Sequence, residues 1–255
     1  MVQSRYKTKR NKKRNNFHLK IKKRMKTKLL IMLALLCCVS FISAQNNWEL
    51  HGGLSLPQGK FADDAQNRII TGGHGGAGTG FNVGIKSINS IDGTKSVFVT
   101  GSLDFFYNEL NRDVKDNLEM NNNNIDIRFS RYINVPALVG LECRLPLSPG
   151  ASIYGEAGIG ANYFTITTER RDVLDPNGYY TESLTSYNYS IKLAGKVGVG
   201  FLFNDKYSIG LSSWSLGNHK LNETKRTSSN RNPVKNKFNN TLSVSTLTLT
   251  AGIRF

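Results

Sequence analysis

Ten ionisable side chains fall on alternating positions within short apolar segments: Glu49, His51, Lys86, Asp104, Glu142, Arg144, Glu156, Lys192, Lys196 and Arg254. Carboxylates mixed with ammonium and guanidinium groups can relay protons or ions, or they can pair with one another where water is scarce. Pairing is the simpler reading, because charges taken out of water must bond to each other to offset desolvation. No catalytic spacing accompanies them. The stretch TGGHGGAGTG (71 to 80) lacks the Gly-Lys-Ser/Thr of a phosphate-binding loop, and no helical period follows it to supply amide donors. His51, His74 and His219 fall on an expected strand and two expected loops, without an HExxH motif or close ligand spacing. No catalytic, cofactor or metal site is expected, and the protein is read as a non-enzyme.

The segments that carry the charges show a two-residue period. In YNYSIKLAGKVGVGFLF (187 to 203), Tyr187, Tyr189, Ile191, Leu193, Val197, Val199, Phe201 and Phe203 share one face, and Asn188, Ser190, Lys192 and Lys196 share the other. Residues 97 to 107 and 151 to 163 divide the same way, and weaker versions occupy about 47 to 56, 77 to 87, 129 to 145 and 206 to 217. The chain ends in one more, where Leu247, Leu249, Ala251, Ile253 and Phe255 alternate with Thr248, Thr250, Gly252 and Arg254. Eight strands result, and no convincing helical period interrupts them. Pro136 lies inside one of them and cannot donate to a ladder, so a bulge or a strand start is expected nearby.

The connections alternate in length. Those over 57 to 76, 109 to 127, 169 to 185 and 218 to 240 are long, and those over 88 to 95, 146 to 150 and 204 to 205 are short. An up-and-down arrangement explains this, with long loops at one end and tight turns at the other. Aromatic placement then chooses the outward face. Trp48, Phe201, Phe203, Tyr207 and Phe255 gather at the turn end, and Tyr107, Tyr163, Tyr187 and Tyr189 at the loop end. Two aromatic belts on the apolar face are what the two interfaces of a bilayer require. The ionisable set then points inward, as a lumen charge network of Glu49, Asp104, Glu142, Arg144, Glu156, Lys192, Lys196 and Arg254, with Gly158, Gly160, Gly198 and Gly200 leaving room for it. An eight-stranded cylinder is just wide enough for side chains to fill, unlike porins of about 16 to 18 strands, so appreciable conduction is not expected.

The whole chain carries a formal charge of +16, which invites a nucleic-acid reading. Residues 1 to 28 hold 13 of the 34 Lys and Arg; the remaining 21 face 18 Asp and Glu, a balance of +3, with no basic stripe to track phosphates. Met25 is followed by Lys26 and Lys28, by the apolar run LLIMLALLCCV (29 to 39), and by small residues up to Ala44. That is the pattern of a secretory signal peptide over 25 to 44, cleaved after Ala44, and the run is shorter than the roughly 20 residues of a spanning helix. Residues 1 to 24 are expected to lie upstream of the true start, leaving 45 to 255 as one domain. That domain keeps a single cysteine, Cys143, which forms no internal disulfide.

The segments GGLSLPQGKFAD (52 to 63), YINVPALVGLECRLP (132 to 146), IYGEAGIGANYF (153 to 164) and AGKVGVGFLFNDKYSIGLSSWSLG (194 to 217), together with the terminal strand, resemble the small outer-membrane β-barrel proteins of Bacteroidetes, in the broad OmpA/OmpX-like class. The resemblance implies an all-β, eight-stranded antiparallel up-and-down transmembrane β-barrel in a Gram-negative outer membrane, preceded by a cleaved signal peptide. It also implies that Phe255 is an assembly signal read by the outer-membrane assembly machinery. A role in structure, surface interaction or secretion would then rest on the long loops. Lys225, Arg226, Arg231 and Lys235, in a loop whose acid is Glu223, suit the phosphates of lipopolysaccharide. The alternatives are a surface enzyme acting on lipid A or peptide, for which His219 is the candidate base, and a secreted soluble barrel.

Overall fold

The computed structural model describes residues 47–63, 74–91, 96–120, 125–174, 180–227 and 230–255. The basic extension, the leader and its cleavage point lie outside them. In chain order the elements are β1 (Asn47–Pro57), a 3-10 turn (Gly59–Phe61), β2 (Ala77–Ser90), β3 (Val97–Leu110), α1 (Arg112–Met120), β4 (Ile125–Arg128), β5 (Arg131–Ser148), β6 (Ala151–Ile166), β7 (Glu169–Leu174), β8 (Tyr180–Tyr187), β9 (Ser190–Phe203), β10 (Tyr207–Thr227) and β11 (Asn230–Arg254).

Strands β1, β2, β3, β5, β6, β9, β10 and β11 pair antiparallel in that order, and β11 returns to β1, so the eight form a closed ring. Closure removes the edges that would leave backbone groups without partners in hydrocarbon. The seam runs from Glu49↔Arg254 to Pro57↔Thr246. Two backbone hydrogen bonds between Trp48 and Phe255, each 2.9 Å, finish it. At the turn end, Asn204 and Asp205 both adopt left-handed backbone (φ 50° and 54°), as a type I′ hairpin turn needs, and the Lys206 N–H donates to Phe203 O at 3.0 Å.

Exposure follows the two-residue period with the polar set inside. Leu193 is 71% exposed and Val199 59%, whereas Lys86 is 2% and Glu142 0% exposed. A water-soluble barrel has the opposite arrangement. Alternation by itself was ambiguous on this point, and the exposure resolves it: the apolar band faces outward, as lipid requires.

Several expectations need correction. The connection over 109 to 127 contains a helix, α1, whose Val114 and Leu118, four residues apart, set a short helical period among charged neighbours that a reading for strands passes over. Asn111 caps it, its Oδ1 accepting from the Asp113 N–H at 3.4 Å. Within 169 to 185, β7 pairs with β8, and the described residues of 218 to 240 are strand rather than loop, because β10 and β11 continue pairing as far as Thr227↔Asn230. Their charged and amide side chains gave no apolar face by which to recognise them. Residues Asn188 and Tyr189 interrupt the strand expected from 187, leaving Tyr187 in β8. Pro136 produces neither a bulge nor a strand start: the β3 ladder runs from Cys143 to Ala137 and resumes at Asn134 in the same register, skipping the proline. Above the loop end β10 changes partner from β9 to β8, and β8, β7 and β4 extend an outer sheet from it.

Deleting Phe255 removes the two bonds to Trp48 and an outward aromatic that is 70% exposed. Folded protein in the outer membrane should fall severalfold and periplasmic fragments should rise, whereas Phe105→Leu should stay near wild type; immunoblots of fractionated cells measure both.

Candidate functional site

Every ring strand contributes to the filling of the interior. In the half nearest the turns, Lys86 Nζ of β2 lies 3.0 Å from Glu142 Oε2 of β5, 3.4 Å from Glu49 Oε1 of β1 and 3.4 Å from Glu156 Oε2 of β6. Arg254 Nε of β11 meets Glu49 Oε2 at 2.6 Å, and its Nη2 meets Glu142 at 3.1 Å. Lys196 of β9 pairs with Glu156 at 2.6 Å, and Arg144 of β5 with Glu142 at 2.8 Å. On β3, Asp104 bonds His51 Nε2 at 2.7 Å. Four carboxylates therefore stand among four cations, Lys86, Arg144, Lys196 and Arg254, and the ion pairs offset the desolvation of a layer this deeply buried.

Aromatic rings complete this layer. Lys86 and Arg254 stand 5.4 and 5.5 Å from the Tyr154 ring centroid, and Lys196 stands 4.9 Å from that of Trp214. A methyl group at Gly200 would collide with Tyr154, and one at Gly198 with Ser212 and Glu156. Gly158 meets its surroundings at ordinary contact distance, so its lack of a side chain makes no comparable room. Tyr154 and Lys86 are central to the cluster; Tyr154 shares the inward parity of Ser152 and Glu156, but an uncharged ring among ionisable residues drew no attention as part of a charge network. Lys192, expected in the network, is exposed at the loop end of β9 with no ion pair among the described residues. There β10 bulges between Ser215 and Gly217, and the Lys192 Cβ lies against Gly217.

The half nearest the loops holds an apolar cluster beside a few buried amides, among them Asn162, whose Nδ2 donates to Asn134 Oδ1 at 2.8 Å and to Leu216 O at 2.9 Å. Phe61, Phe106, Tyr132, Phe164, Trp214 and Leu216 pack there with Leu221, Leu242 and Val244. Phe106 meets Trp214 edge-on at 5.0 Å, and Phe61 meets Tyr132 at 5.2 Å. Tyr132 donates its hydroxyl to Gly75 O, which ties the β1–β2 connection over this cluster. His219 is not the expected solvated loop residue. It is fully buried on β10, with its ring 4.6 Å from Phe164 and its Nε2 3.0 Å from Leu216 O.

On the outer surface, Trp48, Phe201, Phe203, Tyr207 and Phe255 lie at the turn end of their strands. At the loop end, Tyr107 stacks with Phe81 at 5.3 Å, and Tyr163 with Tyr189 at 5.6 Å. Tyr187 does not belong to this belt: its place on β8 packs it against the interior apolar cluster. Lys225 and Arg226 are exposed on the outer part of β10, on opposite faces. The side chains of Arg231 and Lys235 lie outside those described.

Replacing Lys86 by Met leaves Glu49, Glu142 and Glu156 short of a cation and should cost about 3–5 kcal/mol in urea unfolding monitored by tryptophan fluorescence. Glu156→Gln, which weakens contacts to both Lys86 and Lys196, should also destabilise. Lys192→Met should stay within about 0.5 kcal/mol of wild type. The double variant Lys86→Met/Glu142→Gln should be less damaging than the sum of its singles.

Residues 29–255 match the family described as outer membrane protein beta-barrel domain. No curated protein matches the chain by sequence. Among solved structures it is similar to a major outer membrane protein from Thermus thermophilus, at 10% identity and TM-score 0.50, over 83% of this chain and 100% of that one. It is also similar to Ail of Yersinia pestis, at 16% identity and TM-score 0.38, over 83% and 100%. OprG of Pseudomonas aeruginosa gives 13% identity and TM-score 0.42 over 82% and 96%. With the family match spanning all of the ring and an apolar band facing outward around a filled interior, the chain belongs to the outer membrane protein beta-barrel domain family.

Proposed function

We propose that the protein is a non-conducting barrel of the outer membrane, exported by the leader over 25 to 44, whose working part is the sheet and loops at its outer end. The observation that supports this reading is the double filling of the interior, a charge layer below an aromatic cluster. An eight-stranded ring filled in this way supports a barrel that does not act as a general diffusion porin. A surface-interaction role rather than a catalytic one is supported by His219, which points into the packed interior and away from lipid. The partners proposed for this end are anionic head groups such as lipopolysaccharide phosphates, a reading supported by the exposure of Lys225 and Arg226, with Arg231 and Lys235 following in β11. Assembly machinery that reads Phe255 is the other expected partner.

Purified protein in planar bilayers should give no stable porin-like conductance. Reproducible large channels would overturn the non-conducting reading. In a Cys143→Ser background, Lys225→Cys should react with an impermeant maleimide on intact cells, and Asn204→Cys only after the outer membrane is opened. Carbonate-washed membranes should retain the protein, and boiling should shift its gel mobility.

A further inference from the structure

Strand β4, Ile125–Arg128, pairs along one edge with β7, and no described strand covers its other edge. In an antiparallel ladder alternate residues turn their N–H and C=O to each side, so part of this short backbone faces outward without a ladder partner. The register with β7 also gives β4 unfavourable neighbours, because Asp126 lies opposite Asp172 and Arg128 opposite Arg170. The charges of β7 are engaged elsewhere: Arg170 meets Asp172 at 2.9 Å and Glu182 at 3.2 Å. Asp126 and Arg128 are exposed and form no ion pair among the described residues.

Both mismatches are relieved by the same occupant. If a second β4 pairs antiparallel about Ile127, Asp126 faces the second copy's Arg128, Arg128 faces the second copy's Asp126, and the two Ile127 residues adjoin. Each charge that faces its like on β7 then faces its opposite across the new edge. The sequence IDIR is thus self-complementary in one register, which a shift by one residue would destroy.

The symmetry of this pairing restricts where the second copy sits. A two-fold axis that relates antiparallel strands stands perpendicular to their sheet and reverses their direction. Strand β10 runs from the ring into the outer sheet with register shifts after Ser215, Lys220 and Lys225. Strands β8, β7 and β4 lie alongside it in the order of β9, β6 and β5, each two residues from the ring strand it adjoins, so the outer strands prolong those of the ring. Reversing them reverses the ring, and copies within one membrane cannot be reversed relative to each other. We propose that β4 is a homotypic contact edge that joins copies of this chain in two apposed outer membranes. The inference rests on the reading given under Proposed function, that the loop end faces outward. Four residues make a weak contact, so the edge works through many copies on each surface.

The test uses the protein refolded into phosphatidylcholine vesicles, with clustering followed by turbidity at low salt. Wild-type vesicles should cluster, and Asp126→Arg or Arg128→Asp vesicles alone should cluster at least about fivefold less. Mixing the two variant populations restores unlike charges at both positions, and clustering should return to within about twofold of wild type. Absence of wild-type clustering, wild-type-like clustering of either variant alone, or failure of the mixture each overturns the proposal. So does clustering of wild-type vesicles with protein-free ones, which would assign the contact to lipid. Flotation with the vesicles and a boiling-dependent gel shift are read for every variant; loss of both in the wild type would count against the membrane reading itself.

Discussion

One ammonium group, Lys86 Nζ, stands within 3.4 Å of glutamates from three different strands, β1, β5 and β6. Around it the interior is a problem of charge neutrality solved by eight strands together. Carboxylates gathered this closely are tolerable because Arg144, Lys196 and Arg254 bring an equal number of cations, and the outward surface offers them no alternative partner. The network also fixes register. A one-residue slip of any ring strand would turn its charges to the apolar surface and its leucines and valines inward. The missing side chains at Gly198 and Gly200 serve the same end, since they let Glu156 and Tyr154 reach across the space.

Two different materials fill one cylinder. Ion pairs cluster toward the turns, and aromatic rings toward the loops, with Trp214 at their junction: it faces Lys196 and meets Phe106 edge-on. The upper filling does not come from ring strands alone. Phe61 arrives from the β1–β2 connection and Val114 from α1, so two connections are anchored by side chains placed inside. The connections nearest the rim thereby become part of the core, while the outer sheet is carried on the continuation of β10 and β11.

The ring was legible because its strands must separate an apolar set from a polar set on alternate residues, a constraint that every ring strand displays. Its charge layer was legible for the same reason, since Glu49, Glu142, Glu156 and Arg254 stand out among apolar neighbours. What escaped notice lacked that contrast. Tyr154 and Phe106 share the parity of Glu156 and Asp104 and so fall on the inward side of the alternation, but as aromatic residues they carry no charge to mark them as interior filling. The outer strands β4, β7 and β8 and the upper parts of β10 and β11 present charged residues such as Asp126, Arg128, Lys225 and Arg226 where ring strands present apolar ones, and their sequences read as polar loops. His219 shows the limit of position as a guide, because a residue just past the expected end of a strand proved to be fully buried within a longer one.

The seam between β1 and β11 has a kinetic meaning as well. Glu49 and Arg254, bonded at 2.6 Å, are 205 residues apart in sequence. Contacts of such separation are slow to form, because the entropy of closing so long a loop is lost before the contact gives anything back. Both end strands keep an open edge until they meet, and with the outward apolar faces these edges favour aggregation in water. The chain must therefore cross the periplasm without completing its ring, because the seam that closes it joins the first and the last strands of that ring.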